Sequence, residues 1–206
     1  MADALQEFLR LIASRRRVEV ARELDSLPAF ATTAIRVGAS RQDAEHYFLT
    51  EIRHYVYAGD TALHIAAASY EVATAELLVE RGANVRARNR RGAEPIHYAS
   101  DGSPGEAHWD PDAQSAVIAY LIAQGADPNA LDNSGVAALH RAVRTRSTGA
   151  VRALLENGAD PRLANKSGST PSGLATQTTG RSGSGSAAAK EEQLAIIALL
   201  RAHGAS

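Results

Sequence analysis

Apolar residues recur with helical spacing from the start of the chain. In ALQEFLRLIA the apolar Leu5, Phe8, Leu9 and Ile12 fall three and four positions apart, which predicts an amphipathic helix. VEVARELDSL offers a second apolar set in Val18, Val20, Leu24 and Leu27, and Pro28 fits a helix stop. Arg15, Arg16 and Arg17 then occupy the turn between the two helices, where a solvated turn is favoured over a nucleic-acid contact. Residues 38–58 break the helical spacing and carry the aromatics Tyr47, Phe48, Tyr55 and Tyr57. They predict a short helix near Asp43 to Arg53 and then an extended run.

From Gly59 onward a two-part pattern repeats. DTALHIAA at Asp60, AEPIHYAS at Ala93, VAALHRAV at Val136 and STPSGLAT at Ser169 start 33, 43 and 33 residues apart. Each is followed by a second apolar stretch that ends in a glycine, as in AELLVERGANV and VRALLENGADP. Thr61 and Thr170 are placed to cap the first helix of their units, and Pro95 and Pro171 suit its first turn. Leu63, Ile96 and Leu139 point inward, and Gly82, Gly125, Gly158 and Gly204 stand where a second helix ends. Gly59, Gly92, Gly135 and Gly168 close the turn before the next first helix.

On these residues the chain resembles the ankyrin-repeat family, whose motif T-P-L-H-x-A recurs about every 33 residues. The resemblance implies an all-α solenoid of about five helix–turn–helix units with short β-hairpin fingers at NRRG, DNSG and NKSG. It implies one domain over 1–206. Residues 3–37 are a degenerate N-terminal capping unit and 38–58 an irregular connection. Residues 59–92, 93–135 and 136–168 are repeats, and 169–206 a C-terminal capping repeat. In that last unit Ser172 and Gly173 replace the motif's Leu and His. The recurring His64, His97 and His140 are structural in this reading, hydrogen-bonding neighbouring loops, and too far apart to share one metal.

Two insertions interrupt the pattern, at 101–112 and 178–190. The first holds the single tryptophan, Trp109, which serves either as a plug against the helices or as a partner contact. It also gathers Asp101, Glu106, His108, Asp110 and Asp112, but their spacing matches no EF-hand loop. GRSGSGS in the second insertion lacks the ending of a phosphate-binding P-loop, so a loop is the better reading. With no nucleophile elbow, paired-histidine zinc motif or dinucleotide fingerprint, the expectation is no enzyme, no cofactor and no metal. An enzyme built from the two insertion loops is the remotest alternative.

Charge adds a location. The net charge of -1 speaks against a global polyanion binder, yet residues 93–135 carry seven acids and no Lys or Arg, with arginines on both sides. Arg86, Arg88 and Arg91 fall on a finger, and Arg141 and Arg144 on a first helix. In ankyrin proteins these elements form the concave face that takes a partner. The resemblance therefore implies a protein-interaction module that binds a protein or peptide through Arg86, Arg88, Arg91, Tyr98, Arg141, Arg144 and Trp109, and the arginines favour a partner of acidic character. Ile65 and Ala68 would line the same concavity. Nucleic-acid or other polyanion binding through the arginines is the alternative. No cysteine and no apolar run of membrane length point to a cytoplasmic chain outside the membrane.

Overall fold

A computed structural model describes residues 2–177 and 187–205. Ten α-helices follow one another among them, arranged as five antiparallel pairs. The inner row comprises α1 (Ala2–Ala13), α3 (Ala62–Ala68), α5 (Pro95–Ala99), α7 (Ala138–Arg144) and α9 (Pro171–Thr176). The outer row comprises α2 (Arg17–Ser26), α4 (Val72–Glu80), α6 (Pro111–Ala123), α8 (Thr148–Glu156) and α10 (Ala187–Ala202). Each helix packs on its own partner and on its counterpart in the next unit, so the core runs as one strip along the stack.

Residue size explains the inner row. Every residue of α3 is buried, because α1 and α5 close its two flanks and α4 its back. Only small side chains let helices approach on three sides, and α3 accordingly carries Ala62, Ala66, Ala67 and Ala68 around the larger Leu63 and Ile65. Ile65 and Ala68 therefore do not line an open concavity. The N-terminal pair follows its pattern in α1, where Leu5, Phe8, Leu9 and Ile12 are all buried. In α2 only Val20 and Leu24, four apart, face inward; Val18 is 69% exposed and Leu27 lies outside the helix. Helix ends follow the glycines: Gly82, Gly125, Gly158 and Gly204 have φ of +90°, +98°, +90° and +89°.

The expected helix at Asp43 to Arg53 does not form. One 3₁₀ turn (Glu45–Tyr47) leads into a two-stranded antiparallel hairpin, β1 (Phe48–Leu49) paired with β2 (His54–Tyr55). Phe48 and Tyr55 meet across it, ring centroids 4.8 Å apart and planes tilted by 50°, so aromatic pairing across two strands wins over helical spacing. The fingers are tighter than hairpins with regular strands. Each is one turn shaped by a side chain: Asn89, Asp132 and Asn165 accept hydrogen bonds from the backbone N–H groups two and four residues on. Successive fingers are tied by backbone bonds, Asn133 N–H to the Arg91 carbonyl and Lys166 N–H to the Ser134 carbonyl. Gly135 is required here, since a Cβ on it would lie 2.7 Å from the Lys166 nitrogen and its φ is +72°.

The arginine turn is paired, not merely solvated. Arg17 and Arg15 reach the buried Glu71 of the next unit at 2.6 and 3.5 Å, and Arg16 pairs with Glu19 at 2.7 Å. The second insertion lies outside the described residues over 178–186. No helix among the described residues is long and apolar enough to cross a membrane.

Candidate functional site

The site is built on the three histidines. The N–H of Thr61, Glu94 and Ala137, each just before an inner helix, donates to Nδ1 of the histidine three residues on, at 3.1, 3.0 and 3.2 Å. Nδ1 is thus the acceptor, and the proton sits on Nε2. From there His64, His97 and His140 donate to the carbonyls of Ala93, Val136 and Ser169, each at 3.1 Å. Each histidine caps its own helix and staples it to the loop that opens the next unit. Burial disfavours the charged ring in all three, and for His97 it pushes the pKa down to about 4. Thr61 joins this arrangement through a 3.0 Å contact between its hydroxyl and His64 Nδ1. Thr170, whose unit lacks the histidine, caps its helix directly by accepting from Gly173 N–H at 3.1 Å.

Fingers and inner helices of consecutive units enclose a groove of about 280 Å³. Its floor is a fixed polar network. The buried Asp60 carboxylate accepts from Tyr98 OH at 2.9 Å, Asn89 Nδ2 at 2.8 Å and Tyr57 N–H at 2.7 Å. Tyr98 is only 2% exposed, and burial together with Asp60 holds its phenol protonated. It is therefore a wall of the groove with almost no surface to offer a partner, against its expected place among the partner-binding residues. The His54 ring, from β2, packs edge-on against Tyr98 at 4.5 Å. Its Nε2 is closed to solvent without a hydrogen-bond partner among the described residues.

Arg141 crosses the floor between two carboxylates, at 2.8 Å from Asp101 and 3.1 Å from Asp132. Its side chain is 13% exposed, so it ties adjacent units together and is not offered to a partner. Arg86 and Arg88 are half-exposed, and both lean on the buried Glu94, at 3.9 and 3.7 Å. Burial raises the Glu94 pKa and the two arginines counter it. Arg86 also stands 3.7 Å from Asp127, and Arg88 donates to the Leu131 carbonyl at 2.7 Å. Arg91 and Arg144 are exposed on the groove rim.

Trp109 sits apart from the groove. It packs half-buried on the core and donates from Nε1 to Gln114 Oε1 at 2.9 Å. The first insertion is a strap laid over several units. Arg15 donates to the His108 carbonyl at 3.0 Å, Arg53 pairs with Glu106 at 2.7 Å, and Gly102 N–H donates to Thr145 Oγ1 at 3.1 Å. Its acids are thereby dispersed: Asp101 holds Arg141, Glu106 holds Arg53 and Asp110 caps α6.

His54, Tyr57, Asn89, Asp132 and Ser134 also line the groove and were not singled out from sequence. Alignment of the finger tips NRRG, DNSG and NKSG contains the signal for Asn89 and Asp132, which share one phase. No local signal points to His54, whose place depends on the hairpin.

Comparison with known proteins supports the same phasing. A family model described as ankyrin repeat matches residues 58–90, and one described as ankyrin repeats in many copies matches residues 121–175. An E3 ubiquitin-protein ligase of Arabidopsis thaliana is 38% identical over 102 residues, 48% of this chain and 6% of that protein. Human ankyrin repeat and SOCS box protein 6 is 36% identical over 117 residues, 53% of this chain and 26% of that protein. The chain thus spans at most about a quarter of the length of these relatives. The stacked helix pairs, the histidine staples and the matched residues agree: the chain belongs to the ankyrin-repeat family.

Proposed function

We propose that this chain docks a protein partner on the face made by its fingers and inner helices. Ankyrin repeats are in general protein-interaction modules. The observation that carries the reading is the groove itself, lined by side chains from consecutive units over a hydrogen-bonded floor that binding would not have to reorder. Its carboxylates are held in place, Asp60 by Tyr98, Asn89 and the Tyr57 N–H, and Asp101 and Asp132 by Arg141, which suits binding better than catalysis. The ion pairs also weigh against the polyanion reading, because Arg86, Arg88 and Arg141 are already partnered by Glu94, Asp101 and Asp132.

A steric block tests the face. Ser134 is exposed on a finger and Arg152 is exposed on the outer helix α8. Proteins captured from native lysate by the unaltered chain should be lost with Ser134→Trp and kept with Arg152→Trp, both variants being checked for helicity. Equal capture by the two variants would move the docking surface away from this face.

A further inference from the structure

Most arginines on this face are engaged. Arg86 and Arg88 lean on Glu94, Arg90 donates to the Ala39 carbonyl, and Arg141 is locked between two carboxylates. Arg91 and Arg144 differ. Both line the groove, both are exposed, and among the described residues neither has a carboxylate partner. The Arg91 guanidinium lies 4.7 Å from the centroid of the Tyr57 ring, and Tyr57 is itself tied by its backbone N–H to Asp60. A guanidinium held on an aromatic ring keeps its N–H edge free for a planar acceptor. Arg144 ends α7, where a cation is favoured by the helix dipole.

We infer that Arg91 and Arg144 together hold a carboxylate of the docked partner, namely an aspartate or glutamate side chain in an acidic segment. The inference rests on the docking reading above and narrows it. Charge placement and shape select the ligand class. Arg141 is taken up by Asp101 and Asp132, and the buried Asp60 carboxylate lies beneath Tyr98 and Asn89, so the unpaired positive charge sits at the rim on Arg91 and Arg144. A phosphate, at roughly -1.5 to -2, would bring more negative charge than a carboxylate to face Asp101, Asp132 and Asp60 across the floor. The geometry of a planar fork meeting a planar carboxylate also favours two parallel N–H to oxygen bonds.

The test uses the full chain with ¹⁵N-labelled arginine and a glutamate-bearing peptide blocked at both ends. The side-chain signals of Arg91 and Arg144, assigned with Arg91→Lys and Arg144→Lys, should shift and saturate. The Arg91→Gln/Arg144→Gln double variant should bind about tenfold more weakly or worse, and the double Lys variant should recover part of the loss. Arg152→Gln, on the outer helix α8, should leave affinity unchanged. Shifts confined to Arg86 and Arg88, or equal affinity in a folded double variant, would overturn the inference. So would tighter binding of the matching phosphoserine peptide, or equal binding of a glutamine peptide with a free C-terminus. A partner lost on Ser134→Trp yet retained by the double Gln variant would refute the carboxylate assignment and leave the docking reading intact. A partner indifferent to Ser134→Trp would refute the docking reading.

Discussion

His97 shows how one residue serves three purposes. It accepts from Glu94 N–H, donates to the Val136 carbonyl, and fills space with no exposed surface. His97→Ala removes both bonds, leaves two buried backbone groups unpaired, and opens a void. We expect a loss of about 2–4 kcal/mol, read as a lower urea midpoint. A folded variant with an unchanged midpoint would show that the staple carries no stability. Asp60 illustrates the complementary case. A fully buried carboxylate is tolerable only with full hydrogen bonding, and Tyr98, Asn89 and the Tyr57 N–H supply it. The motif position of His97 announced its role. Nothing around Asp60 in the sequence announced its partners, because Tyr98 comes from another unit.

Among the elements, the strap and the β1–β2 hairpin depart furthest from sequence expectation. The strap is held by Gln114, which is fully buried. Gln114 accepts from Trp109 Nε1 and from Ser147 Oγ at 2.6 Å, and donates to the Ala99 carbonyl at 2.9 Å. One side chain therefore joins the strap, α5 and the residue that precedes α8. Gln114→Ala should cost about 1–3 kcal/mol through the polar groups left behind. It should also shift the emission of Trp109, the single tryptophan, to longer wavelength. Emission identical to that of the unaltered chain would mean that the strap is held by its other contacts. The readings of Trp109 as plug or as contact could not be separated from sequence, since both ask for an aromatic residue in a loop. The hairpin was missed for a related reason: Phe48 and Tyr55 serve cross-strand pairing, and their spacing along the chain does not reveal which residue each will face.

At the scale of the whole molecule, the staples act in series. His64, His97 and His140 link consecutive units, and burial lowers the pKa of each. His54 is shifted in the same direction by burial. For His97 the folded pKa is about 4 against an ordinary value of 6.5. Between those values the unfolded chain binds a proton that the folded chain excludes. Stability is therefore full above the ordinary histidine range and declines as the pH falls toward about 4. Glu94 opposes this, since its raised pKa favours the folded state on acidification, but it is one group against these four imidazoles and His108, which is shifted the same way. Urea midpoints should thus be clearly lower at pH 5 than at pH 7.5. Equal midpoints would mean that the rings are protonated in the folded state at little cost.

The sequence by itself determined the unit. Helix spacing, capping residues, turn glycines and the recurrent histidine are local features, each fixed by the conformation of a few neighbouring residues, and they define the helix pairs from Gly59 onward. Of the arginines expected on one face from their place on a finger or first helix, Arg91, Arg141 and Arg144 line the groove. The tertiary structure alone decided which of them remain free. Glu94 takes Arg86 and Arg88, Asp101 and Asp132 take Arg141, and Tyr57 props Arg91 at the rim. Each pair joins two units: Glu94 lies in 93–135 and Arg86 and Arg88 in 59–92, Asp101 and Asp132 in 93–135 and Arg141 in 136–168, and Tyr57 in the connection 38–58 and Arg91 in 59–92. Ion pairing falls off within a few ångströms, so only the stacked geometry could assign them.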